Sequence, residues 1–229
     1  MSDRCWKLRP SDFAFLWREC RRCFYLKIVS GFPRPRAVMP KIFTVIDAQM
    51  KTAFQQQRTE TISPDMPKGL VEFVERPVES RPFTVQLPDT MATCLIRGRL
   101  DTVVRFDDGT YGVVDFKTSE RNAEHIPLYA LQLQAYAHAL EDPAPGKLAL
   151  SPVTRLGLLV FEPAAFEAGG AGRAGLGGNL HWIEVARDEQ AFFGFLAEVL
   201  WVLEQPSPPG GAPMCEWCQY RDTSRRTAL

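Results

Sequence analysis

The stretch from Gly98 to Thr118, GRLDTVVRFDDGTYGVVDFKT, decides the fold, because it reads as two strands joined by a tight turn. Leu100, Val103, Val104, Val113 and Val114 are strand-forming apolar positions, and Asp107-Asp108-Gly109 between them is a strong hairpin signal. Strands are predicted over Thr93 to Phe106 and Tyr111 to Lys117. Side chains alternate faces along a strand, so Asp115 and Lys117 emerge together and share a pocket that Asp101 approaches from the neighbouring strand. An Asp-x-Lys tripeptide alone also describes a solvated surface pair. Here the flanking valines and Leu100 set the acids in a buried sheet, where a carboxylate needs a partner or a metal. Two such carboxylates make a hard oxygen site of the type Mg²⁺ uses with few protein ligands. Bound there, the ion would acidify a water and polarise a phosphoryl group, while the lysine orients that water or offsets developing charge.

Outward from the hairpin, Pro127 to Leu140 has helix composition and Asp142-Pro143 closes it. Gln132 and Tyr136 stand four residues apart on one face of it and present two neutral hydrogen-bonding groups. Upstream, Ser11 to about Val29 is predicted as one helix carrying Cys20 and Cys23, and a proline-rich break leads into a second helix over Ile42 to Gln57. Phe43, Ile46, Met50 and Phe54 mark the apolar face of that second helix, and Asp47 lies beside it. Val71 to Leu87, with its valines and prolines, suits edge or short strands. Arg155 to Phe161 reads as a buried strand, Pro163 to Asn179 as a flexible Gly/Ala-rich loop, His181 to Val185 as a strand, and Asp188 to Glu204 as an amphipathic helix. The chain divides into a helical region at 1–60, a core at 61–204, and a linker with the second cysteine pair at 205–229.

Three motifs in order, Gly98-Arg-Leu-Asp101, Val113-Val-Asp-Phe-Lys-Thr118 and Tyr129-Ala-Leu-Gln-Leu-Gln-Ala-Tyr136, resemble the motif set of RecB-family nucleases in the PD-(D/E)XK superfamily. The resemblance implies an α/β fold with a restriction-endonuclease-like core, a central mixed sheet flanked by helices. It implies Mg²⁺ or Mn²⁺ on Asp101 and Asp115, a catalytic Lys117, and Gln132 and Tyr136 lining the site. The family often adds a histidine or acid from an early helix. No histidine precedes His125, so Asp47 is the candidate for that third metal ligand.

Cys20-x-x-Cys23 and Cys215-x-x-Cys218 are paired elements of the kind that hold a tetrahedral thiolate site, here joining the N-terminal helix to the C-terminal tail. In a reducing cytosol such pairs are metal ligands rather than disulfides, and Cys5 and Cys94 need no special role. The run Cys20-Arg-Arg-Cys-Phe-Tyr-Leu26 resembles the opening of iron–sulfur members of the RecB-like group, including CRISPR-associated ones, which implies a [4Fe-4S] cluster. The two-plus-two spacing departs from their one-plus-three pattern, and sulfur count fits a Cys₄ zinc site equally.

With 229 residues and 45% apolar residues the chain can bury one main core, and no apolar run suggests a signal peptide or membrane span, so a cytoplasmic protein is expected. Lys+Arg and Asp+Glu balance at 27 each, so an anionic partner must meet a local patch. Arg18, Arg21, Arg22, Lys27, Arg34, Arg36, Lys41 and Lys51 concentrate positive charge near the N-terminus, and Trp217 and Tyr220 stand beside the second cysteine pair. The expected partner is DNA, single-stranded or at duplex ends, cut by a metal-dependent deoxyribonuclease. The alternatives are a catalytically weak nucleic-acid-binding subunit and a metal-stabilised adaptor. No P-loop occurs, so a helicase motor, if one is used, belongs to a separate chain.

Overall fold

A computed structural model describes residues 4–35, 40–119 and 126–227. In chain order the elements are β1 (Cys5–Leu8), α1 (Pro10–Asp12) running on into a π-helical turn (Phe13–Trp17), α2 (Arg21–Val29), α3 (Lys41–Phe54), α4 (Thr59–Ile62), β2 (Gly69–Glu79), β3 (Phe83–Gln86) and β4 (Met91–Phe106). They continue with β5 (Tyr111–Thr118), α5 (Ile126–Glu141), β6 (Val153–Ala168), β7 (Ala174–Val185), α6 (Glu189–Leu203) and α7 (Glu216–Arg226). The sheet runs β1-β4-β5-β6-β7, with β2 and β3 also paired to the long β4. It is mixed: β1 is parallel to β4 and β5 to β6, and the remaining pairs are antiparallel. Parallel pairing of β5 with β6 needs a crossover, and α5 lies in that connection.

Alternation along the strands feeds two cores. Val113 and Leu158 pack beneath α5 and α6 with Leu133, Leu140, Phe192 and Leu196, whereas Val104, Val114 and Phe116 pack on the other face with Met50 of α3. Helices therefore cover both faces of a mixed sheet, as expected of the α/β class. The predicted turn forms as read: Gly109 has φ +84, and Asp108 Oδ1 accepts from Thr110 N–H at 2.9 Å.

Four local expectations change. The first helix begins at Pro10 rather than Ser11, since proline suits a first turn, and it breaks at Cys20, whose extended backbone (φ −165, ψ 107) caps α2. Phe43, expected on the apolar face of α3, is exposed and borders the main cleft, because the first turn of α3 overhangs that cleft rather than the core. The Gly/Ala-rich stretch is not a loop. There β6 and β7 run on as a two-stranded ribbon paired out to Ala168↔Ala174, turned by positive-φ Gly170, Ala171 and Gly172. Pairing uses backbone groups alone, so weak strand propensity did not prevent it. Three elements were absent from the sequence reading: β1 and α4, each too short to show a period, and the polar helix α7.

Candidate active site and cysteine centre

Asp101 and Asp115 project from adjacent strands at neighbouring register positions, each being the next residue beyond the pair Thr102↔Val114. The Phe116 N–H donates to Asp101 Oδ2 at 3.2 Å, and Gln132 Nε2 donates to Asp115 Oδ1 at 3.2 Å. The Lys117 ammonium pairs with Asp115 Oδ2 and stands 4.3 Å from the Tyr129 ring centroid. Lys117 is thus held between a carboxylate and an aromatic face. Asp47, Asp101, Asp115, Lys117, Gln132 and Tyr136 all line one cleft of about 1070 Å³. Tyr129 escaped the sequence reading as a site residue, although its spacing of three and seven residues from Gln132 and Tyr136 put it on the same helix face.

Burial pushes the Asp115 carboxyl up to about 7, the neighbouring Asp101 carboxylate adds to this, and Lys117 opposes it. Burial alone would lower the Lys117 ammonium, but Asp115 outweighs it and holds Lys117 above its ordinary range. Asp115 Oδ2 has no close polar partner among the described residues besides the Lys117 ammonium. Two neighbouring carboxylates that resist sharing negative charge suit a divalent cation. A carboxyl raised from 3.8 to about 7 on folding favours the native state fully below the unfolded value, and that advantage disappears as pH rises to about 7. Metal must displace the Asp115 proton. Mn²⁺ should therefore raise the melting temperature more at about pH 8 than at about pH 6, measured against EDTA by differential scanning fluorimetry; equal gains at both would contradict the assigned environment.

The third ligand predicted, Asp47, is in the cleft but tied up. Lys51 Nζ donates to Asp47 Oδ2 and Asp101 Oδ1, each at 2.8 Å, and also to Glu75. Burial would lower the Lys51 ammonium, but the three carboxylates outweigh it and hold it charged. Sequence reading placed Lys51 only in a basic surface and missed Glu75, whose backbone takes the unusual left-handed φ of +52 opposite the Asp101 segment. Asp47, Asp101 and Asp115 do not converge as one ligand set. Among the described residues, the cysteine quartet alone brings three or more ligand-type side chains within 4.8 Å of one another.

The Tyr136 hydroxyl donates to the Arg99 carbonyl at 2.8 Å, and burial, followed by nearby Asp115 and Asp101, pushes its pKa up, so it stays neutral. Gly98 makes room for it: a Cβ there would stand 3.0 Å from Tyr136 Cε1 and 3.2 Å from Pro10 Cδ, so glycine lets α5 and α1 close on β4. Gln132 touches a candidate ligand and Tyr136 only its strand. Gln132→Ala should therefore lower cleavage by about 10–100-fold and Tyr136→Phe by less; steady-state rates in the reverse order would contradict these contacts.

The second centre lies where the two chain ends meet. Cys20 Sγ is 3.6 Å from Cys218, and Cys23 Sγ is 3.7 Å from Cys215 and 3.6 Å from Cys218. Cys20 and Cys215 each cap the helix that carries the second thiol of its pair. Cys20 is therefore not on the helix face expected for it; its extended backbone turns the thiol back to its partner. Burial pushes the Cys20 thiol up, but N–H groups of Ala212 and Cys23 and the neighbouring thiols outweigh it, to about 6. Arg34 Nη2 donates to Cys215 Sγ at 3.3 Å, a charge-assisted contact suited to a thiolate. Gly211 is required by space, since a Cβ would lie 2.8 Å from Cys218 Cβ. Four metal–sulfur bonds of about 2.3 Å in a tetrahedron separate sulfurs by about 3.8 Å, and the three sulfur separations of 3.6, 3.7 and 3.6 Å are close to that. Cys5 and Cys94 lie outside it.

Most of the expected basic surface is paired internally. Arg21 meets Glu198, Arg22 meets Asp222, Lys27 meets Asp12, and Arg34 meets Glu19. Arg36 lies outside the described residues, as does His125. Trp217 and Tyr220 are exposed on α7. No described helix is long and apolar enough to cross a membrane.

None of the curated proteins matches the chain. A solved structure described as the crystal structure of SSO0001 is similar with a TM-score of 0.46 and 15% identity, covering 97% of this chain and 87% of that one. The model of the PD-(D/E)XK nuclease superfamily matches residues 29–223, a span that takes in both acids, Lys117, α5 and the second cysteine pair. With that match over most of its length, a helix-flanked mixed sheet and both motif acids in one cleft, the chain belongs to the PD-(D/E)XK nuclease superfamily.

Proposed function

We propose that the protein is a deoxyribonuclease that hydrolyses phosphodiester bonds with Mg²⁺ or Mn²⁺ held by Asp101 and Asp115. The observation that carries this reading is the buried Asp115 side chain, beside Asp101 and contacted by Lys117 and Gln132 in an open cleft. Bound there, the divalent ion would supply Lewis acidity at phosphate and an acidified water. Lys117, fixed between Asp115 and Tyr129, presents positive charge where charge develops on the phosphoryl oxygens and hydrogen-bonds the attacking water. Gln132 keeps the Asp115 carboxylate turned toward the cleft, and Tyr136 anchors the Arg99 backbone two residues before Asp101. The cysteine quartet is a structural centre, and its sulfur spacing supports one tetrahedral zinc ion better than a four-iron cluster, which carries one thiolate on each iron and so spreads the sulfurs apart.

A second reading, a nucleic-acid-binding subunit of low catalytic power, draws support from Lys51, whose ammonium is already paired with Asp101, Asp47 and Glu75. Purified protein incubated with single-stranded and duplex DNA distinguishes the two. Cleavage with Mn²⁺ or Mg²⁺ that EDTA abolishes is the expected result, whereas salt-sensitive DNA binding without cleavage selects the subunit reading.

A further inference from the structure

A second groove of about 600 Å³ adjoins the catalytic cleft and shares Lys7 and Arg9 with it. The burial pattern of β1 explains the sharing: Trp6 and Leu8 turn into the core, so Lys7, and Arg9 two residues on, point outward where both depressions meet. Neither Lys7 nor Arg9 has an ion-pair partner among the described residues. Arg4 also lines the groove, as does Lys27, which is paired with Asp12, and no carboxylate lines it. In a chain with no formal net charge this is a local concentration of positive charge next to the proposed catalytic metal site.

Gly31 and Pro33, which bracket Phe32 in sequence, also line the groove. Phe32 is 55% exposed, and the Arg221 guanidinium of α7 lies 4.9 Å from its ring centroid. No carboxylate pairs with the half-buried Arg221 among the described residues, and its buried Nη1 has no acceptor. Cations along a groove beside an exposed aromatic ring are the pattern by which proteins hold single-stranded nucleic acid, phosphates on the cations and a base on the ring. A duplex keeps its bases stacked and offers none to Phe32.

We infer that single-stranded DNA leaving the catalytic cleft runs over the β1 edge, its phosphates on Lys7 and Arg9, and reaches the Phe32–Arg221 pair. This rests on the nuclease reading for the direction of the strand. The test is fluorescence anisotropy in EDTA with labelled oligo(dT) of about 6 and about 16 nucleotides, lengths within the usual range of single-strand sites. The wild-type chain should bind the longer strand more tightly. Lys7→Gln/Arg9→Gln should reduce the slope of log affinity against log salt by about 1.4, at about 0.7 per phosphate contact. Phe32→Ala should weaken the longer strand about tenfold and collapse the difference between the lengths, and Arg221→Gln should act in the same direction. Lys7, Arg9 and Phe32 are exposed and Arg221 is half-buried, and retained metal content and melting temperature establish that each variant is folded.

An unchanged salt slope together with an unchanged length difference would overturn the track. Equal losses on a duplex or on oligo(U) would overturn its assignment to single-stranded DNA. Metal-dependent cleavage by the wild type with undisturbed variants removes the track and leaves the nuclease reading intact. Neither cleavage nor DNA binding by the wild type removes both.

Discussion

Lys117→Ala is expected to lower metal-dependent DNA cleavage by at least about 10²–10³-fold, the usual loss when one preorganised electrostatic group is removed from a transition state. Asp101→Ala and Asp115→Ala should lose as much or more, because each removes a proposed metal ligand. Folding should survive the lysine change. Asp115 already sits near neutrality, so without its counterion it takes up a proton rather than remaining a buried unpaired charge. Asp101→Ala leaves Lys51 paired with Asp47 and Glu75, so the ammonium keeps its partners. Turnover on a labelled oligonucleotide in Mn²⁺, with melting curves for each variant, gives the answer. Lys117→Ala protein that cuts within about tenfold of wild type would remove Lys117 from the chemistry, and an unfolded variant would direct the question to Lys117→Met, which keeps the packing on Tyr129.

The parts of this site that were legible in the sequence are those governed by local rules. Alternation placed Asp115 and Lys117 on one face, the Asp107-Asp108-Gly109 turn set the register that brings Asp101 beside them, and a spacing of four put Gln132 and Tyr136 on one side of α5. What stayed hidden depends on long-range packing. Lys51 reaches Asp101 across 50 residues and Glu75 across 24, and neither distance leaves any periodic trace. Lys7 belongs to, and Arg9 directly follows, a strand of four residues whose alternation acquires meaning only once β4 lies beside it. The β6–β7 ribbon was misread because glycine and alanine suggest a loop, while the pairing depends on neither side chain.

The cysteine centre was half legible: spacing nominated the four ligands, but only the distances between sulfurs bear on which metal they suit. Cys23 and Cys215 are 192 positions apart, so a metal joining them closes nearly the whole chain into a loop. On the chain-entropy model for a cross-link of that span, the constraint contributes about 5 kcal/mol, which for a domain of this size corresponds to about 10–20 °C in melting temperature. Cys20→Ser, Cys23→Ser, Cys215→Ser and Cys218→Ser are each expected to release metal and lose stability of that order, because metal binding here counts as folding energy. Cys5→Ser and Cys94→Ser should keep the metal, since both lie outside the quartet. Anaerobically purified wild-type protein should be colourless with about one zinc equivalent. Brown protein whose broad visible absorption bleaches on oxidation would replace zinc by an iron–sulfur cluster while keeping the four ligands. Metal-free protein that melts at the same temperature as the Cys→Ser variants would end the metal-centre reading, and α7 would then be held to α2 by the Arg22–Asp222 pair and thiol packing alone.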